Sequence, residues 1–381
     1  MKYLIYTCVV LALMTLNTLK ADNIKNNGST KSFQIKKGGT VEFDLLQGNI
    51  TIETWNKEEV LIRIENEDEE YENPLIFKQS GNNLYVTINK EYEWNPSCDL
   101  RVSVPKQINL SIKSNFGDIR LRDDISGTVD LKTSGGEIIF AGINGDLKAF
   151  TAGGDLRGAD VTGKLDLKTM GGDITTGVLS GNYVKIETMG GDIRIKKSDK
   201  GVYVMTHGGD IRIGDIGNDS ELITYGGDIV SGLINGNAKL KTLGGDITLN
   251  GAKGKVDVET RGGDIKLFNI IGSLNAKTSA GEMYIELTPK GEDSFIKSGY
   301  GNVDLYLPSN VKANLDIKIR DAGWEGEESN QLYINFETSA GKKYTKSSNL
   351  YGNYTINGGG EKIYVETANS DISIKKNKKT N

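Results

Sequence analysis

The hexapeptide TMGGDI occurs at residues 169–174 and again at 188–193, followed by THGGDI at 206–211, TYGGDI at 224–229, TLGGDI at 242–247 and TRGGDI at 260–265. The acid after the glycines recurs as Asp118, Glu137, Asp155, Asp173, Asp192, Asp210, Asp228, Asp246, Asp264 and Glu282, spaced by 18 residues in most steps and 19 in two. A fixed period of this size is the signature of a solenoid, in which each repeat is one supersecondary unit that buries its apolar side only against its neighbours.

Other columns keep the same register. Threonine stands at 133, 151, 169, 188, 206, 224, 242, 260 and 278, with an apolar residue two positions before it (Leu131, Ala149, Leu167, Ile186, Val204, Leu222, Leu240, Val258, Ala276). Within VKIET and GGDIRI, apolar and polar residues alternate with period two, so Val184, Ile186, Ile193 and Ile195 face one side and Lys185, Glu187, Asp192 and Arg194 the other. Each repeat therefore reads as two short strands joined by a glycine corner, through Gly172, Gly191, Gly209, Gly227, Gly245 and Gly263. Stacked at the strand spacing of roughly 4.8 Å, the copies give an all-β, single-chain β-solenoid of about ten 18-residue coils over residues 113–305, right-handed by default. A second glycine column (Gly127, Gly145, Gly163, Gly181, Gly236, Gly254, Gly272) marks the return corner, where positive φ is expected, with Asn218 filling the slot once. All five prolines lie outside residues 106–288, which suits uninterrupted ladders.

A bare solenoid exposes strand edges at both ends. Residues 22–112 and 306–381 alternate with irregular spacing and read as capping regions continuous with the sheet. Residues 1–21, with Lys2, an apolar run from Tyr3 to Leu16 and Ala21 before a polar stretch, read as a secretory signal peptide. No other stretch has the roughly 18 apolar residues a spanning helix needs. The whole chain holds 46 basic and 51 acidic residues, and loss of Lys2 and Lys20 with the leader leaves 44 against 51, a net charge of −7. That balance argues against nucleic acid as a partner. Cys98 is the one cysteine left after the leader, so no intramolecular disulfide is expected.

The opening FQIKKGGTVEFDLLQGNITIETWNKEEV, the stretch DLRVSVPKQINLSIKSNFGDIRL at 99–121, the GGDI series, NVDLYLPSNV at 302–311 and the closing INGGGEKIYVETANSDISI together resemble the bacterial DUF4097 family, from about residue 33 to the end. Its members are exported proteins provisionally named adhesins, related to auto-transporter adhesin head domains. The resemblance implies a β-helix and brings no catalytic residue with it.

Three columns are candidates for function. The acids, with Asp173, Asp192, Asp210, Asp228, Asp246 and Asp264 at their centre, would stand about 4.8 Å apart and must have their repulsion offset. Either they bind calcium, which takes several carboxylate oxygens, or they accept hydrogen bonds from backbone amides at the corner, with Arg194, Arg212, Lys266 and Lys241 as countercharge. Calcium-binding nonapeptide solenoids carry GGxGxD twice per 18 residues, whereas here GGD comes once. No other cofactor is expected. The threonines (Thr169, Thr188, Thr206, Thr224, Thr242, Thr260 and their equivalents) share parity with the apolar column and are expected inside, rather than as an outward ice-binding rank. The residue between threonine and glycine varies and has the opposite parity. Its members Met170, Met189, His207, Tyr225 and Leu243 are either an exposed partner surface or a packing ridge between coils.

Catalysis has little support. A glycosidase needs two carboxylates in different environments, the acids here are equivalent, and the sole histidine, His207, sits in a column of Met, Tyr and Leu. The expected function is an exported, non-enzymatic, adhesin-like binding protein offering a rigid repetitive surface to a glycan, cell-surface or envelope partner, in the periplasm or on the cell surface. A periplasmic structural or sensory envelope component is the alternative, and a polysaccharide-acting β-helix enzyme comes third. Trp324, in the polar loop DAGWEGEESNQ, is the flank aromatic most suspected of binding.

Overall fold

In the repeat at its centre, strand Val184–Glu187 buries Val184 and Ile186 and turns Lys185 and Glu187 outward, as the alternation requires. The chain then passes the glycine corner into Ile193–Ser198, which buries Ile193 and Ile195. These two strands belong to different sheets. In the first, Val184–Glu187 lies parallel between Leu165–Thr169 and Tyr203–Met205. In the second, Ile193–Ser198 lies parallel between Ile174–Leu179 and Ile211–Ile213. Register pairs like with like: Ile186 with Leu167 and Val204, Ile193 with Ile174 and Ile211. The return segment adds a narrow third ladder, through the bridges Ile143 to Val161 to Leu179 and Ser198 to Ile216 to Ile234. The three sides enclose one continuous apolar core. Each Ile or Leu in it contributes about 1.5–3 kcal/mol over an exposed position.

This computed structural model describes residues 30–65, 75–89, 97–321 and 330–377. Residues 1–21, expected to be a leader, and Trp324 lie outside the described residues. Every regular element among the described residues is a strand, and no helix there is long and apolar enough to cross a membrane.

The threonines point inward and are buried from Thr133 to Thr278. Thr206 Oγ1 donates to the carbonyl of Gly191 in the preceding coil at 2.8 Å and accepts from the N–H of Gly209 in its own coil at 3.3 Å. The same two bonds recur at Thr169, Thr188, Thr224, Thr242 and Thr260. One hydroxyl thus satisfies two polar groups that burial would leave unpaired. The second glycine of each corner is demanded by closeness: a Cβ on Gly172, Gly191, Gly209, Gly227, Gly245 or Gly263 would run into the carbonyl oxygen of its counterpart one coil before. The first glycine has more room, with that oxygen 3.0 Å from a Cβ on Gly208. At the return corner, Gly127, Gly145, Gly254 and Gly272 adopt positive φ, but Gly163, Gly181 and Gly236 do not. The expected left-handed geometry at Asn218 is also not adopted. There the side chain holds the turn instead, its Oδ1 accepting the N–H of Asp219 at 2.9 Å.

The ends are not simple continuations. Near the N-terminus, Gly39–Gln47 is inserted between Asn83–Ile88 and Ile108–Phe116, and Ile50–Trp55 between Leu100–Pro105 and Ile119–Leu121. Near the C-terminus, Glu361–Ala368 enters between Ser294–Ser298 and Ala313–Arg320, and Ile372–Lys376 between Val303–Leu307 and Leu332–Ile334. Antiparallel strands then cover the outermost layers: Leu75–Ser80 and Glu59–Ile64 at one end, Asn349–Ile356 and Thr338–Lys346 at the other. Each long ladder is an open line of strands. The last strand, Thr338–Lys346, is exposed throughout and carries Lys342, Lys343 and Lys346, charges that discourage a further strand from pairing.

On the outer face of the second sheet, Phe268, Tyr284 and Tyr306 form an aromatic file with centroids 5.2 and 4.9 Å apart. Burial first, then donation from the Tyr284 hydroxyl to Glu286 Oε1 at 2.9 Å, push this phenol up to about 12. A raised folded pKa gives stability that is present below the ordinary value of 10.0 and is lost as pH rises towards 12. The melting temperature of the wild type should therefore fall more steeply than that of Tyr284→Phe across this interval; parallel curves would show that Tyr284 titrates as an ordinary tyrosine. At the corner, Thr206→Val leaves the Gly191 carbonyl and the Gly209 N–H unpaired and should lower stability in urea by about 2–3 kcal/mol. Gly209→Ala should be worse than Gly208→Ala in the same assay, and equal losses would refute the close-approach account.

Candidate functional site

The acids of the GGD corner form a rung system. Asp192 Oδ1 accepts the N–H of Asp210 at 2.8 Å, Asp210 Oδ1 that of Asp228, Asp228 Oδ1 that of Asp246, and Asp246 Oδ1 that of Asp264, each at 2.8 Å. Asp173 serves Asp192 and Asp155 serves Asp173 in the same way. The donor is the amide of the next acid rather than a glycine amide of the same corner. The system extends into the inserted coils, where Asp99 serves Asn49 and Asn49 serves Asp118 at one end, and Asn302 serves Asp371 and Asp371 serves Gln331 at the other. Asparagine at two rungs shows that the position needs an acceptor oxygen, not a charge.

The second carboxylate oxygen meets arginine in the N-terminal half. Arg120 pairs with Asp118 at 2.8 Å, Arg157 with Asp155 at 2.6 Å, Arg194 with Asp192 at 2.7 Å and Arg212 with Asp210 at 2.8 Å. Arg194 also reaches Asp173 at 3.7 Å. Such half-exposed pairs contribute about 0–1 kcal/mol each. Lys241, expected to face the acids, does not: it stands on the strand before the corner and pairs with Glu259 at 2.7 Å. Lys266 makes no ion pair among the described residues. No cluster of three or more His, Cys, Asp or Glu among the described residues is arranged to hold a metal ion.

Between threonine and glycine the side chain is thrown outward, because the backbone turns there with no room inside. Met170 and Met189 are each 47% exposed, Tyr225 43% and Leu243 40%, and His207 is exposed with them. The rings of His207 and Tyr225 lie 5.0 Å apart at 41°, so members of the column touch along the stack while facing solvent. At the coil spacing, Met170 to Leu243 spans about 20 Å. Phe116 and Tyr300, both strongly exposed, stand at the two ends of this corner and escaped the sequence reading. They occupy the slot of the first glycine, in NFGD and GYGN, where a search for GG passes over them. Of the flank aromatics, Tyr333 is exposed, and Tyr344 stacks on Tyr351 with centroids 5.1 Å apart.

The rung account distinguishes two substitutions. Asp210→Asn keeps the acceptor and loses only the pair with Arg212, so its melting temperature should stay close to that of the wild type. Asp210→Ala leaves the Asp228 amide unpaired and should cost about 1–3 kcal/mol. Equal melting temperatures for the two variants would remove the rung as a stabilising element.

No curated protein matches the sequence. Among solved structures, a provisionally named adhesin from Bacteroides fragilis is 11% identical, with 91% of this chain and 96% of that one covered at a TM-score of 0.25. Another, from Parabacteroides merdae, is 13% identical, with 74% and 97% covered at a TM-score of 0.28. A provisionally named cell adhesion protein from Clostridium sporogenes is 10% identical, with 91% and 99% covered at a TM-score of 0.15. Identities and TM-scores this low say nothing of what the chain binds. The family described as Toastrack DUF4097 matches residues 39–229 and again residues 184–375. With those two matches covering the glycine-corner coils and the inserted coils at both ends, the chain belongs to the Toastrack DUF4097 family.

Proposed function

We propose that this protein is an exported, non-enzymatic binding protein whose rigid stack of coils, wound right-handed, holds the corner column Met170, Met189, His207, Tyr225 and Leu243 against a glycan, cell-surface or envelope partner. The observation that supports it is the stripe itself. Large apolar side chains are held in a straight file at the coil spacing and left 40–47% exposed, where small polar residues would satisfy the corner equally well. Methionine adapts its shape to a partner surface, and contiguous exposed apolar residues mark interaction sites. Export rests on the leader at residues 1–21.

The acids act as structural rungs in this reading, and calcium is not required. The melting temperature should be the same in calcium chloride and in EDTA, and a rise with calcium that Asp210→Asn and Asp228→Asn abolish would make the ladder a cation site. The stripe is tested by replacing Tyr225 and Leu243 together with alanine. The variant should melt like the wild type and be retained less by intact cells and by envelope fractions, and undiminished retention would end the stripe proposal. Protease treatment of intact cells, followed with an antibody to the exposed strand Thr338–Lys346, should remove the epitope. Protection until the envelope is permeabilised would favour a periplasmic structural or sensory component instead.

A further inference from the structure

On the outer face of the first sheet, register brings Asn275, Phe295 and Tyr364 side by side on three adjacent strands. The rings of Phe295 and Tyr364 stack almost parallel, centroids 4.8 Å apart at 4°. Tyr364 is engaged again by Lys362, whose Nζ lies 4.7 Å from its ring centroid. The face of Phe295 turned away from Tyr364 looks towards the much shorter Asn275, and Phe295 is 47% exposed. The step from a large ring to a small amide opens a notch of about 510 Å³ with an aromatic face as one wall.

Glu292 and Asp293 add a polar part to the lining. The segment 290–293 projects beside the sheet, with the Gly291 N–H donating to Glu361 Oε1 at 3.2 Å and Asp293 Oδ1 accepting the Lys362 N–H at 3.0 Å. Glu292 also pairs with Lys255, just before strand Val256–Glu259, at 3.1 Å. Asn275 donates its Nδ2 to Asp257 at 2.8 Å, which leaves its Oδ1 as an acceptor. Lys255, Lys277 and Lys297 line the notch together with Glu292, Asp293 and Glu366, three cations against three anions. A site without net charge does not select a phosphate or a polyanion. Its donors and acceptors of both signs around one free π-face match a neutral ring that carries hydroxyls at its edge and C–H bonds on its face, because an aromatic face is electronegative and attracts such hydrogens.

We propose that this notch is a saccharide-binding site, with Phe295 as the stacking platform for one pyranose ring. The site lies apart from the corner stripe and does not depend on it. The test is saturation-transfer difference NMR on the full mature chain, with the methyl glycosides of glucose, galactose, mannose and N-acetylglucosamine offered one at a time. At least one glycoside should receive saturation on its ring protons, and Phe295→Ala should weaken its affinity by about fivefold or more. Phe295→Leu, which keeps apolar bulk and folding but removes the π-face, should weaken it likewise, while alanine at Tyr225 and Leu243 should leave it unchanged. Absence of transfer to all four glycosides, or equal transfer in Phe295→Leu and wild type, overturns the proposal. Loss of transfer in the stripe variant alone would place saccharide binding at the corner and overturn it too.

Discussion

The structure depends on one close approach. At every corner the backbone of one coil is laid against the carbonyl of the coil before it, at a position where no side chain fits. Parallel ladders alone would not fix the coils there, because the strands end on either side of the turn. The threonine hydroxyl and the carboxylate oxygen take over, one from inside and one from outside, each carrying a hydrogen bond to the neighbouring coil. The exposed stripe follows from the same geometry. A corner closed to side chains on its inner side turns the preceding residue into solvent, and since that residue contributes nothing to closing the corner, its identity is available for other work.

The electrostatics of this edge change along its length. Asp118, Asp155, Asp192 and Asp210 each have an arginine two residues on that pairs with the outer carboxylate oxygen. At the next two corners Val230 and Thr248 stand where the arginines were, so Asp228 and Asp246, beside Tyr225 and Leu243, lack that partner. The corner therefore carries ion pairs beside the methionines and carboxylates without an arginine partner beside Tyr225 and Leu243. A partner running along the corner would meet two chemically different surfaces on one continuous scaffold.

Much of this was legible in the sequence, and the boundary is physical. The period, the inward threonines and the buried columns could be read because parallel stacking repeats the same neighbours at the same spacing. The resemblance to the DUF4097 family was equally open to view. Lys241 was misjudged because strand parity tells which side a residue faces but not which column it meets. The inserted coils were obscured because Glu361–Ala368 pairs with Ser294–Ser298 across about 70 residues, and no local period records such a pairing. The rungs at Asn49, Asn302 and Asp371 do carry a faint signal, in GN and SD where GGD is expected, whereas Asp99 follows Cys98 and carries none. The Phe295 notch had no signal, since its two rings become neighbours only through that long-range register.

The threading of the ends has a consequence for how such a molecule can change in length. The earliest long coil is clamped between two later ones, and the last between two earlier ones. Extra repeats cannot be added beyond these clamped coils without undoing a finished closure. From Asp155 to Asp264, each coil presents its neighbour with the same carbonyl, the same hydroxyl and the same carboxylate oxygen, so an 18-residue unit can be gained or lost there with both joints restored. The molecule is built like an extending table, with fixed ends and interchangeable leaves, and the reach of its surface can be altered without redesigning either end.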